Sequence, residues 1–195
     1  MNYSEIYHFL YEKGYHGNLK NHGVQYVDYI VENYHFSSLL EIGCSQGVTV
    51  KKFQEKGIDS YGIDVSDVAI QEAKKMGLSV CQVGSVTNLP FESGVFDVVF
   101  SCDVLEHLIA PDVEKAIREI KRVSKKYLFL KIAYGKEKNM SWIEVLHRNP
   151  KYRNIKNLHQ TVENKEWWLS KIVDEKWKFV ESDFLNLMVF KQKEE

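Results

Sequence analysis

The 195-residue chain carries 26 Lys and Arg against 27 Asp and Glu, a formal net charge of -1, so it offers no general field for phosphate backbones or anionic lipid and a nucleic-acid substrate is disfavoured. Its three cysteines, Cys44, Cys81 and Cys102, are scattered, which suits neither a disulfide framework nor a zinc site and points to a reducing, cytoplasmic setting. No apolar run has signal or membrane length, and the length suits a single domain over 1–195, with 1–36 as an N-terminal helical cap.

Residues 3 to 36 are expected to form two helices around the hinge Gly14-Tyr15-His16-Gly17-Asn18. Tyr3, Tyr7 and Tyr11 recur at i, i+4, i+8, and Val24, Val27, Ile30 and Val31 recur at helical spacing. The plainest reading of the tyrosine stripe is a face packed on the core, although a lid would use the same residues. From Ser38 onward, short β-rich runs alternate with amphipathic helices. The runs are Leu39 to Ile42, Ser60 to Asp64, Ser79 to Val83, Val95 to Cys102 and Tyr127 to Ala133; the helices are Val48 to Lys56, Ser66 to Met76 and Asp112 to Lys125. Such alternation predicts an α/β, doubly wound and mostly parallel sheet reached by right-handed crossovers. Ser66 suits an N-cap, and Gly57 and Gly77 stand where helices should stop. A polar, less periodic segment follows to about Leu158, then a helix from Glu163 to Val173. Trp177 to Glu181 and Leu185 to Phe190, joined at Ser182-Asp183, read as an antiparallel hairpin at the sheet edge, completing seven strands.

In such a sheet the ligand crevice opens beyond the carboxyl ends of the strands, and the first strand-to-helix turn lies in it. Gly43 and Gly47 occupy that turn, where glycine lets backbone N–H groups approach a ligand. Asp64 ends the second strand, where a carboxylate accepts hydrogen bonds from a ribose diol. A dinucleotide fingerprint needs G-x-G-x-x-G, and Gly43, Ser45 and Val48 stand at those positions. That mismatch excludes nicotinamide and flavin cofactors.

The spacing Glu41-x-Gly43-x-Ser45-x-Gly47 resembles the first motif of class I S-adenosylmethionine-dependent methyltransferases, which have the Rossmann-like methyltransferase fold. Tyr61-Gly62-Ile63-Asp64-Val65-Ser66 resembles the second motif, Gly84-Ser85-Val86-Thr87-Asn88-Leu89-Pro90-Phe91 the adenine-packing stretch, and Phe96 to Leu108 the fourth-strand motif. The resemblance covers roughly Ser38 to Ala133 and implies S-adenosylmethionine as cofactor. It places Glu41 toward the amino end, Gly43, Cys44, Ser45 and Gly47 under the methionine and ribose, Asp64 and Val65 at the ribose, Ser85 and Val86 at the adenine, and Cys102 at the fourth-strand wall. Ser45 replaces the middle glycine, which is accommodated if its φ is negative. Ser85 stands where many relatives carry an Asp.

Methyl transfer to a hydroxyl needs a base or a metal beyond the fourth strand. Asp103-Val104-Leu105-Glu106-His107 lies there, and His159 comes later, just before the Trp167-Trp168 helix. Asp103, Glu106, His107 and His159 resemble the metal set of small-RNA 2′-O-methyltransferases and of some ubiquinone-pathway O-methyltransferases, with Asp103 in place of a Glu; two carboxylates and two imidazoles suit Mg²⁺, Mn²⁺ or Fe²⁺, of which Mg²⁺ or Mn²⁺ is the expected cofactor. Val-Leu-Glu-His-Leu also occurs in metal-free relatives, where Glu106 braces a helix and His107 packs under the cofactor, leaving His159 as a general base. His107 and Asp103 complete the catalytic candidates.

His16 and His22 are weaker candidates beside the hinge, and Lys131 has its plainest reading as a snorkelling lysine. The segment around His159 resembles the tail of methyltransferases of sugar and surface-polysaccharide biosynthesis, with Tyr134, Trp142, Trp167 and Trp168 suited to a pyranose face. The expected acceptor is therefore a hydroxyl of a sugar or nucleotide-linked sugar. A nucleic-acid 2′-O-methyltransferase and a non-catalytic cofactor-binding partner subunit are the alternatives.

Overall fold

The computed structural model describes residues 2–15, 23–136, 140–184 and 186–193. The hinge from His16 onward, His16 and His22 themselves and Leu185 lie outside the described residues. Two N-terminal helices, α1 (Tyr3–Glu12) and α2 (Val24–Asn33), precede β1 (Ser38–Ile42), α3 (Val48–Glu55), β2 (Asp59–Asp64), α4 (Asp67–Lys75) and β3 (Cys81–Val83). The chain continues through β4 (Phe96–Cys102), a 3-10 turn at Leu105–His107, α5 (Ala110–Val123) and β5 (Ser124–Lys131), then α6 (Ser141–His147), a second 3-10 turn at Pro150–Tyr152, α7 (Lys165–Ile172), β6 (Trp177–Val180) and β7 (Leu187–Gln192).

These strands form one seven-stranded sheet in the order β3-β2-β1-β4-β5-β7-β6. The first five are parallel, whereas β7 runs antiparallel to both β5 and β6. The chain winds outward from β1 to β3 and then returns to β4 on the other side of β1, so the order reverses between β1 and β4, where an open α/β sheet forms its ligand crevice.

Successive strand residues point to opposite faces, and both faces are covered, which is why the strands read as continuous apolar runs. Leu40, Val99 and Leu128 pack under α5 and α7 with Val113, Ile117, Ile120, Trp168 and Ile172. Their neighbours Leu39, Val98 and Phe129 pack under α2 and α3 with Tyr26, Val27, Ile30 and Phe53. Ser66 caps α4 by accepting from Ala69 N at 3.3 Å, and Gly57 and Gly77 take φ of +82° and +84° just past α3 and α4, a geometry glycine reaches without a Cβ penalty.

The segment after Ala133 is more ordered than its polar composition predicts. It contains α6, whose Ile143 and Leu146 pack with Ile6 and Leu10 of α1 and with Tyr152 in a separate small core. A seven-residue helix packed on another helix instead of the sheet leaves too short a periodic trace to be read.

Candidate active site

A cavity of about 460 Å³ opens beyond the carboxyl ends of β1, β2 and β4. Its floor is the turn after β1, where Gly43 N and Cys44 N donate to Ile63 O at 2.8 and 3.0 Å. Gly43 has φ +71°, and a Cβ there would meet Val104 Cγ2 at 2.3 Å. Gly47 has φ +78° and precedes α3 directly; a Cβ on it would stand 2.7 Å from Leu78 Cδ1 and 3.0 Å from Cys81 Sγ. Both glycines are therefore required, Gly43 by the cavity floor and Gly47 by packing behind it. Ser45 departs from expectation, since its φ is +52°, a conformation costing an L-residue roughly 1–2 kcal/mol. Its N–H donates to Asp64 Oδ2 at 2.9 Å, which fixes the turn against β2.

Asp64 also accepts from Ser66 N through Oδ1 at 2.9 Å. Burial nevertheless raises its pKa to about 6 against the pull of these N–H groups. Each oxygen keeps a further acceptor site for a ligand hydroxyl. Glu41 is also buried, at 4% exposure, and burial holds its carboxyl well above the usual range. Its Oε2 has no hydrogen-bond partner among the described residues, an acceptor that a ligand ammonium would satisfy. Cys44, Val65, Ser85, Val86 and Cys102 line the same cavity. Ser85 Oγ shares a 2.8 Å hydrogen bond with Thr87 Oγ1, and burial followed by the Asp103 charge pushes the Cys102 thiol upward.

The other wall starts at the end of β4. Asp103, at φ +56°, donates its N–H to Lys131 O at 3.0 Å, and its carboxylate pairs with the Lys131 ammonium. Lys131 is thus a half-buried partner on the cavity wall and not a snorkelling edge lysine; its strand lies inside the sheet between β4 and β7. The 3-10 turn carries Glu106, fully buried, whose Oε1 accepts from Ala133 N at 2.9 Å and whose Oε2 has no hydrogen-bond partner among the described residues. Burial, then the charge of Asp103, raises its pKa to about 8.

The distant His159 arrives through backbone pairing. Gln160 N and Thr161 N both donate to Glu106 O at 2.8 and 3.0 Å, and Thr161 Oγ1 donates to Leu108 O at 2.6 Å. The His159 and His107 rings consequently meet at 4.9 Å and 90°, with His159 Nδ1 2.5 Å from Gly135 O. One possible ligand atom each from Glu106, His107 and His159 lies within 4.8 Å of the others. Asp103 stands outside this group, its carboxylate taken by Lys131, so a fourth ligand from that residue is not assembled.

The tyrosine stripe is both a core face and a cavity wall. Tyr3 packs on the core under α5 and α7, Tyr7 and Tyr11 pack on the small core that holds Ile6 and Leu10, and all three also line the cavity as its roof. The i, i+4 spacing carried the signal, but it cannot say which apolar face meets the sheet and which meets a ligand. Of the aromatic residues considered for an acceptor, Trp142 lines the cavity; Trp168 is core, Trp167 packs edge-on against it at 5.0 Å, and Tyr134 packs on the same core. Outside the cavity, His8 pairs with Asp67 and Glu12, and His147 lies 2.7 Å from Ile155 O.

A family model described as "Methyltransferase domain" matches residues 40–129. Norajmaline N-methyltransferase of Rauvolfia serpentina is 37% identical over 95 residues, 45% of this chain and 32% of that protein. A probable chloroplastic tocopherol O-methyltransferase of Oryza sativa subsp. japonica is 28% identical over 138 residues, 61% of this chain and 38% of that protein. The chain spans about a third of the length of these curated relatives. Among solved structures, a putative S-adenosyl-L-methionine-dependent methyltransferase from Methanococcus maripaludis superposes with a TM-score of 0.61 at 20% identity, covering 100% of this chain and 92% of that one. The turn after β1 and the acid ending β2 both lie within residues 40–129, the stretch that matches the methyltransferase domain, and the whole chain shares the fold of the solved S-adenosyl-L-methionine-dependent methyltransferase.

Proposed function

We propose that the protein transfers a methyl group from S-adenosylmethionine to a hydroxyl of a small-molecule acceptor, a sugar or sugar-bearing compound, with Mg²⁺ or Mn²⁺ held by Glu106, His107 and His159. The observation carrying this reading is that the glycine cradle and the imidazole pair face one cavity. The cradle fits the cofactor on its own terms: Gly43 lets the floor of the cavity close against Val104 where a Cβ would collide, Glu41 offers a buried oxygen with no hydrogen-bond partner among the described residues, and Asp64 offers acceptor sites to a diol. The cofactor supplies an electrophilic methyl on a sulfonium with a neutral leaving group, so positioning the acceptor accounts for much of the rate.

The residues on the facing wall deal with the acceptor's proton. Gly135 O beside His159 Nδ1 orients that imidazole, as carbonyl partners orient metal-bound or basic histidines. A carboxylate and two imidazoles suit a divalent cation with open positions for hydroxyl oxygens. A bound cation would also draw the proton from Glu106, whose burial favours the neutral form. Trp142, stacked edge-on against Tyr15 at 5.0 Å, offers the sugar an apolar face. The balanced charge of the chain speaks against a polynucleotide acceptor.

Calorimetry with S-adenosylhomocysteine is the first test. Binding in the wild type that is lost in Asp64→Ala supports the reading, and a wild type that binds none overturns it. A radiolabelled methyl-transfer screen over nucleotide sugars, free sugars and oligonucleotides then decides the acceptor; transfer to oligonucleotides alone would overturn the sugar assignment.

A further inference from the structure

We infer that Tyr7 is a positioning residue: its hydroxyl oxygen, delivered by α1, acts with Leu158 O to hold His107 in the Nδ1–H tautomer with Nε2 as its basic nitrogen. The functional meaning of this contact rests on the methyl-transfer reading above, and the contact itself rests on geometry. Tyr7 Oη lies 2.8 Å from His107 Nδ1, and Leu158 O lies 3.2 Å from the same nitrogen. A carbonyl oxygen only accepts. If Nδ1 were unprotonated, it would face Leu158 O as one acceptor against another in a buried site, an arrangement left without a proton to share. With the proton on Nδ1, both oxygens accept from it. The phenol oxygen is the nearer partner; the carbonyl alone sits at the long end of the hydrogen-bond range.

The rings of Tyr7 and His107 also meet edge to face, at 88° with 5.9 Å between centroids. The roof helix is tied down on either side of this contact. Tyr3 Oη donates to Asp112 Oδ2 at 3.0 Å and accepts from Ile109 N at 2.9 Å, while the Tyr11 hydroxyl lies against Ser45 of the cofactor turn. One helical face therefore spans from the start of α5 across His107 to the glycine turn. The middle tyrosine orients the imidazole, and the third touches the cradle. Seating α1 and orienting His107 become a single event.

Long-range proton–nitrogen NMR spectra of histidine-labelled protein saturated with S-adenosylhomocysteine, at about pH 8 where a histidine of ordinary pKa is neutral, test this directly. His107, assigned by His107→Gln, is expected as the Nδ1–H tautomer in the wild type. Tyr7→Phe should shift its nitrogen signals toward those of a tautomer mixture. Tyr11→Phe should weaken S-adenosylhomocysteine affinity while leaving the His107 pattern intact. A wild-type Nε2–H tautomer overturns the inference, and so does an unchanged His107 pattern in Tyr7→Phe. The wild-type tautomer decides the matter even if Tyr7→Phe does not fold. A wild type that fails to bind S-adenosylhomocysteine speaks against the cofactor reading instead, and its His107 tautomer is still read from unliganded protein.

Discussion

His107 and His159 meet ring to ring at 4.9 Å and 90°, although α5, β5 and α6 intervene in the chain. The join is made by Thr161, whose N–H donates to Glu106 O at 3.0 Å and whose hydroxyl donates to Leu108 O at 2.6 Å. Thr161→Val keeps the shape of this buried side chain and removes the hydroxyl donor, leaving a buried carbonyl short of a partner. A stability loss of about 1–3 kcal/mol is expected, measured by urea unfolding. Methyl transfer should fall further than the loss of folded protein explains, because the loop carrying His159 loosens. Normal turnover by the folded fraction would show that His159 does not depend on this anchor.

The half of the cavity proposed to hold the cofactor was legible in the sequence because its parts are local. Gly43 and Gly47 announce a turn through their backbone demands, and Asp64 follows one strand later. The acceptor half was legible only as residue types. That His159 joins Glu106 and His107 while Asp103 turns to Lys131 depends on backbone pairings of residues remote in the chain, which carry no periodic trace. Ser45 illustrates a different limit: its positive φ is imposed by the turn and stabilised by the bond to Asp64, so the tertiary setting overrides the residue's own preference. The stripe of Tyr3, Tyr7 and Tyr11 could be placed on one helical face, but α6, which packs on the same helix, was not visible to show that this face is core and roof at once.

Cofactor affinity should depend on pH through Asp64. Burial raises its folded-state pKa to about 6, above the roughly 3.9 of an unfolded aspartate. The folded state therefore binds the proton more tightly, so this group's contribution to stability declines as pH rises from about 4 to 6 and is level above that. Ligand hydroxyls that donate to the carboxylate favour its ionised form and act in the opposite direction. S-adenosylhomocysteine should accordingly bind more weakly as pH falls below about 6, by up to about tenfold per unit, with a plateau above. Calorimetry across this range should show the slope in the wild type and none in Asp64→Asn; the same slope in both would assign it to another group.

Metal dependence separates the two readings of the imidazole pair. If Glu106, His107 and His159 hold a cation, methyl transfer should collapse after chelation and return with Mn²⁺ or Mg²⁺. His159→Ala should then weaken Mn²⁺ binding, followed by electron paramagnetic resonance, by at least about tenfold, since a lost ligand should cost no less than a lost outer-shell partner. Chelator-resistant turnover that still requires His159 would make it a metal-free general base and would remove the cation from the mechanism.

Gly43 and Ser45 stand two positions apart in the same turn, both at positive φ, and they should respond oppositely to substitution. Gly43→Ala adds a Cβ 2.3 Å from Val104 Cγ2 in a conformation that disfavours any L-residue. Either Val104 or the turn must move, at a cost of about 1–3 kcal/mol by the measure of overpacked sites, and cofactor binding should suffer because the shift occurs on the cavity floor. Ser45→Gly relieves a left-handed serine while leaving the N–H to Asp64 in place. The relief, roughly 1–2 kcal/mol, is partly offset by the larger unfolded-state entropy of glycine, about 0.4–1 kcal/mol. The net expectation is a slightly stabler protein whose affinity for S-adenosylhomocysteine falls no further than in Tyr11→Phe, since both variants lose the contact between the Tyr11 hydroxyl and Ser45. Thermal unfolding and calorimetry on the two variants check both signs, and a destabilised Ser45→Gly would mean that the serine side chain makes a contribution exceeding the strain it carries.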